Sequence, residues 1–216
     1  MTDYRSSTEF TQALAEDYAW RYKEMVDQKA AIDRAKGVAR GQQLRFGVVM
    51  IYAHWEGHIK FAASQFLRYV ADAIALRQIE RDAVHPRVLT LAVWSRGIGN
   101  AGASLATFVP QVEPMLPFFA APAAIELNSI IDTESNLSSR VFRRIVTILG
   151  IDYAKFELHE KFIDDDLLRV RHKVAHGEHY LVNFDEYVAL KDTTIMLMTM
   201  FKNEIENQVE LDSFLI

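Results

Sequence analysis

The chain of 216 residues contains no cysteine. That excludes disulfides, thiolate metal sites and a cysteine nucleophile, and it leaves His, Asp and Glu as the strong metal ligands available. Glycine and proline are scarce, with 9 and 5 residues, so little interrupts regular helix. No run of 18 or more apolar residues occurs. The most apolar windows, 46–55 and 195–201, are too short to span a bilayer. The start, MTDYRSSTEF, lacks the apolar stretch of a secretory signal, so a cytoplasmic protein without membrane attachment is expected. Basic charge is not in excess either. Lys and Arg number 24 against 29 Asp and Glu, for a net charge of −5. Such a chain does not coat nucleic acid through bulk charge, and any contact with RNA or DNA needs a local basic patch.

What is present is an ordinary globular composition, with 50% hydrophobic and 25% charged residues. It suits a single domain over residues 1–216 with one core. Helix formers dominate, and the expected class is all-α, a helical bundle of antiparallel neighbours. Ser6 and Glu9 have capping-box spacing at the start of a first helix running to about Asp33. Gly37 and Gly41 are candidate breaks. A second, long helix is expected from about Gln42 to Arg81, apolar on most sides between Val48 and Val70, which marks it as the central core helix. Tyr52, Glu56, Lys60 and Ser64 recur every four residues and are expected to share a face. Residues 82–122 hold all five prolines and three glycines. They read as a short helix near Arg87–Ser95 followed by an irregular insertion or lid, since Val109, Leu116, Phe118 and Phe119 want burial.

The C-terminal half is expected to be regular. A helix covers about Pro122–Asp132. Another is N-capped by Asn136 and ends at Gly150. A third runs from Asp164 to His176, with Asp164, Asp165 and Asp166 complementing its dipole. The last begins at the capping box Asn183/Glu186 and carries the stripe Tyr187, Leu190, Thr194, Leu197, Phe201 and Ile205.

The chemistry-bearing segment is Leu167-Leu168-Arg169-Val170-Arg171-His172-Lys173-Val174-Ala175-His176-Gly177-Glu178-His179. Three of the seven histidines fall within eight residues, beside two arginines and a lysine. Cleavage of RNA by its own 2′-hydroxyl needs a proton acceptor, a proton donor and positive charge on the phosphate. Histidine supplies the first two near neutral pH and arginine the third. Arg171 and His176 are therefore the leading pair. Five residues apart on an ideal helix they differ by about 140° in azimuth. A last turn that frays at Gly177 would bring them together, and so would a two-fold related subunit that makes the site composite. The rival chemistry is a metal site, because His172 and His176 are four apart and share a helix face. The protease pattern H-E-x-x-H fails at His172 and Lys173 sits beside it, so neither metal nor cofactor is expected. A plainer reading is that these cations merely cap a helix C-terminus.

At this segment the sequence resembles the HEPN superfamily (higher eukaryotes and prokaryotes nucleotide-binding), whose motif is Arg, four to six residues, then His. Arg171-His172-Lys173-Val174-Ala175-His176 matches with four intervening residues, and Ala175-His176-Gly177 matches the common ending. His172 stands where Asn or Asp is commoner. Arg169 gives a second, six-residue match. Ile51-Tyr52-Ala53-His54-Trp55-Glu56-Gly57-His58-Ile59-Lys60 is similar to a helix of the MAE-type branch of stand-alone bacterial members, and so is Asn136-Leu137-Ser138 with the helix that follows. The resemblance reaches from about Arg45 to Val209.

What it implies is an all-α HEPN-like helical bundle that dimerises with the Arg–His motifs facing each other, and a metal-independent endoribonuclease acting on an RNA substrate as a toxin or phage-defence effector. An antitoxin or defence-system partner goes with such a role. The alternative is a non-catalytic HEPN module that binds a nucleotide, RNA or protein. On the enzymatic reading His176 is general acid or base, Arg171 holds the phosphate, and His172 orients Arg171 or the substrate. Glu56, with Tyr52 as neighbour, is the candidate buried partner of Arg171, unless it pairs with Lys60. Lys173, Arg140 and Arg144 complete the substrate-binding set. Between Ser135 and Ile151 no acidic residue offsets Arg140, Arg143 and Arg144, which then either contact RNA or form a solvated face. His54 and His58 read as core or polar-face histidines.

Overall fold

The computed structural model describes residues 6–94, 130–134 and 136–216. The regular secondary structure among the described residues is helical, with one isolated β-bridge, Val84 to Leu215. The helices are α1 (Ser7–Arg34), α2 (Gly37–Leu76), α3 (Pro86–Trp94), α4 (Ser139–Leu149), α5 (Arg169–Ala175) and α6 (Phe184–Glu210). No helix among them is long and apolar enough to cross a membrane.

Each well-capped helix begins where a side chain can take up a free backbone N–H. Ser6 accepts from Glu9 N at 3.2 Å to open α1. Asn183 accepts from Glu186 N at 2.8 Å, and the Glu186 side chain answers, giving the full capping box of α6. The break between α1 and α2 is shorter than expected. Only Ala35 and Lys36 separate them, and Gly37, not Gln42, is the first residue of α2, at φ +54°. Gly41 lies inside α2, which ends at Leu76, five residues before the expected Arg81.

α2 is the central helix and packs on α1, α5 and α6. Val48, Ile51, Trp55, Ile59 and Ala62 are fully buried on it. On α6 the whole expected stripe from Tyr187 to Ile205 is buried. Where the two helices cross, Gly47 lets α2 approach so closely that a Cβ there would lie 2.5 Å from Tyr187 Cε2. Below this crossing Phe142 of α4 meets Trp55, Phe156 and Phe201 edge-on, with ring centroids 5.0–5.6 Å apart. Such T-shaped contacts add to the burial of large rings. The run Tyr52, Glu56, Lys60, Ser64 does not share one face. Each step of four residues advances about 40° past a full turn, so Tyr52 is buried while Lys60 and Ser64 are exposed.

Three elements in the second half differ from expectation. Residues 130–134 are not helical, so the end of the helix expected at 122–132 is absent, and its earlier part lies outside the described residues. The insertion or lid expected at 82–122 is described only to Trp94. There the chain makes a 3-10 turn (Arg81–Ala83), then α3 at nearly the expected place. It also docks on the chain's end, with Ile216 N donating to Ala83 O and His85 N to Phe214 O.

The cap of α4 is Ser138, which accepts from Val141 N, and not Asn136. Gly150 closes α4 in the left-handed region at φ +83°, as expected. The helix leading into α5 starts before Asp164. It contains a π-helical stretch, Phe162–Leu168, in which Arg169 N donates to Asp164 O five residues back. The three aspartates are therefore inside a helix, not at its N-terminus. Asp164 serves a different one, accepting from Ser139 N at 2.7 Å and Ser139 Oγ at 2.6 Å at the start of α4, where a carboxylate meets the positive end of the dipole.

Candidate active site

The Arg171 side chain turns inward from α5. Its guanidinium lies 4.0 Å over the ring of Tyr52 on α2, a cation–π arrangement on a buried ring. Its Nη2 donates to Asn136 Oδ1 at 2.6 Å. The Tyr52 hydroxyl is in turn engaged, accepting from Leu137 N at 2.6 Å. Burial pushes the Tyr52 phenol up, more than Arg171 beside it pulls it down. The loop before α4 is thus pinned at consecutive residues, Asn136 to Arg171 and Leu137 to Tyr52. The Arg171 Nε is buried and has no hydrogen-bond partner among the described residues.

His172 Nε2 lies 3.0 Å from the same Asn136 Oδ1. The His172 ring stacks on His176, with centroids 5.6 Å apart and planes 30° apart. His176 ends α5 at φ −86°, ψ 8°, its N–H donating to His172 O, and its side chain is exposed. Gly177 follows at φ +77°. Burial first, then the neighbouring charges of Arg171 and His176, hold the His172 imidazole below its ordinary value. No hydrogen bond joins Arg171 to His176 among the described residues. They are joined through Asn136 and His172, so that four residues from two segments form one polar chain running from core to solvent.

Asn136 is the residue that sequence reasoning misplaced. Its cap-like position three residues before the start of α4 concealed it, whereas Ser138 supplies the cap. The usable signal was that two candidate caps preceded one helix, which left one of them for other work. Glu56 stands apart from Arg171, for no hydrogen bond or ion pair joins it to Arg171 or to Lys60 among the described residues, and Asn136 takes the place expected of it. Glu56 does act on Tyr52 electrostatically, raising its phenol. Lys173 sits 4.9 Å over the Tyr180 ring. Arg169, the second match, donates to Asp165 O and lines a separate cavity of about 310 Å³ with Tyr180 and Glu186.

The arginines of α4 are offset after all, by acids just outside their stretch. Glu134 pairs with Arg140 and Arg144, and Glu160 and Glu157 pair with Arg143. The pairs are largely exposed and worth little to stability. His54 and His58 are core residues of α2. His58 Nδ1 lies 2.8 Å from Asp17 Oδ2, and Arg21 donates to both oxygens of that carboxylate. Burial pushes Asp17 up, but the bonds from His58 and Arg21 outweigh it and leave the carboxyl below its ordinary value. Among the described residues no three His, Asp or Glu side chains converge as a metal site would require.

No curated protein and no solved structure matches the chain. A family model does, described as RiboL-PSP-HEPN, over residues 16–207. The match takes in α2, the Asn136 loop, α5 and nearly all of α6, and so every residue of the polar chain. Its description names the RiboL-PSP branch and not the MAE-type one. With an all-α fold and a match over most of its length, the chain belongs to the RiboL-PSP-HEPN family of the HEPN superfamily.

Proposed function

We propose that this HEPN chain is a metal-independent endoribonuclease, acting in the cytoplasm as a toxin or phage-defence effector under the control of an antitoxin or defence-system partner. The observation that carries the reading is the polar chain itself, with Arg171 and His172 on one Asn136 oxygen and His176 stacked beside them at the surface. A permanently charged fork beside two imidazoles is the equipment that phosphodiester transesterification needs. The 2′-oxygen attacks phosphorus, the bond to the 5′-oxygen breaks, and the products are a 2′,3′-cyclic phosphate and a 5′-hydroxyl. His176 moves a proton in this exchange. Arg171 stabilises charge on the phosphate. In a homodimer with α5 against α5, a partner's motif completes the cleft around one RNA strand. Lys173, Arg140 and Arg144 contact the backbone phosphates, the two arginines exchanging Glu134 for phosphate to do so.

The test is a denaturing gel of total RNA incubated with the purified protein in EDTA, beside Arg171→Ala and His176→Ala. Fragments from the wild type alone support the reading. Cleavage retained by both variants contradicts it. A second reading, a binding module without turnover, is favoured by the enclosure of Arg171, whose face lies on Tyr52 and whose Nε is sealed from solvent. RNA that is bound tightly and left intact by the wild type selects that reading.

A further inference from the structure

The hydrogen bonds around Asn136 dictate where the protons of the site lie. Arg171 has donors only and cannot accept. The Asn136 atom 2.6 Å from its Nη2 is therefore the amide oxygen, because the amide nitrogen would set donor against donor. That same oxygen faces His172 Nε2 at 3.0 Å. An oxygen acceptor requires hydrogen on Nε2. A neutral His172 thus carries its proton on Nε2 and its lone pair on Nδ1, which no described residue bonds.

We propose that His172 is the general base of the reaction and His176 the general acid, with Asn136 as the positioning residue that holds His172 in its Nε2–H form. The inference rests on the nuclease reading above and deepens it. His172 Nδ1 takes the proton of the 2′-hydroxyl as the O2′–phosphorus bond forms. His176, protonated, gives a proton to the 5′-oxygen as its bond to phosphorus breaks. At the end of the step His172 carries the positive charge and His176 is neutral, and proton exchange with water restores the starting state. The stack, 5.6 Å between ring centres, lets two imidazole edges address the two ends of one phosphodiester from a single chain. The environments of the two rings differ in the direction this division requires. His172 is half-buried beside the guanidinium and His176, which favour its neutral form, whereas His176 is exposed to solvent.

Two measurements test it. The first replaces the scissile 5′-oxygen of an RNA oligonucleotide by sulfur, a leaving group that needs no proton. His176→Ala should cleave this substrate at a rate within about tenfold of the wild type while failing on the oxygen substrate, and His172→Ala should fail on both. Equal rescue of both variants, rescue of His172→Ala alone, or full activity of His172→Ala overturns the assignment. A wild type inactive on both substrates overturns the nuclease reading itself, and the assignment with it. The second measurement stands apart from activity. Nitrogen-15 NMR of the side chains should show the Nε2–H tautomer of His172 in the wild type and in Asn136→Asp, which keeps an acceptor, and its loss in Asn136→Ala. An Nδ1–H tautomer in the wild type contradicts the positioning role whatever the nuclease does.

Discussion

The crossing of α2 and α6 makes a sharp prediction because two glycines of the same helix have opposite surroundings. A Cβ at Gly47 would lie 2.5 Å from Tyr187 Cε2 and 3.2 Å from its Cζ. Carbon atoms in contact sit about 3.5–4.0 Å apart, so the ring or the helix must retreat by about 1 Å. Tyr187 is fully buried, so the ring can retreat only by displacing its neighbours in a close-packed core. Overpacking of this kind costs about 1–3 kcal/mol. Alanine in a helix gains up to about 1 kcal/mol over glycine, so Gly47→Ala should be net destabilising or neutral. At Gly41 nothing among the described residues lies within 4 Å of the same Cβ, and Gly41→Ala should show the gain alone. The difference between the two variants removes the propensity term and leaves about 1–3 kcal/mol of packing. In a chain of this size each kcal/mol moves Tm by about 2–4 °C, so their melting points should separate by about 2–12 °C, with Gly47→Ala lower. Thermal unfolding followed by circular dichroism measures it. Coincident melting points, or a higher one for Gly47→Ala, would refute the close crossing.

The Asp17 network makes stability depend on acid. Its folded carboxyl titrates below the ordinary 3.8, so the contribution is complete above that value and is lost as pH falls through the folded one. Asp17→Asn should flatten this acid limb in urea titrations, and at neutral pH it should cost about 3–5 kcal/mol by leaving Arg21 and His58 without their carboxylate. Tyr52→Phe keeps the ring under Arg171 but strands the buried Leu137 N–H, and should cost about 1–3 kcal/mol in denaturant unfolding. Glu134→Ala removes exposed pairs only, and should change stability by less than about 1 kcal/mol.

The parts of this fold written in local chemistry were readable from sequence. The stripe from Tyr187 to Ile205, the Asn183/Glu186 box and the αL turn at Gly150 each depend on residues within a few positions of one another. The parts set by contacts between distant segments were not. Asn136 and Arg171 are 35 residues apart, and nothing local distinguishes an asparagine that caps a helix from one that binds an arginine. The aspartates at 164–166 misled for the same reason. Their run looks like the start of a helix, but Asp164 is used by Ser139, 25 residues away. The Arg–His motif itself was legible as a spacing. Its two ends are not on one helix face, and the link between them is supplied by a loop that the motif does not contain.

On the proposed function this HEPN chain cuts RNA through Arg171, His172 and His176 without a metal ion. Mass analysis of the ends left on a defined RNA oligonucleotide in EDTA tests it most directly. The wild type should leave 2′,3′-cyclic phosphate and 5′-hydroxyl ends, and His176→Ala an intact strand. Ends bearing a 5′-phosphate, or the same cyclic ends from His176→Ala, would contradict it.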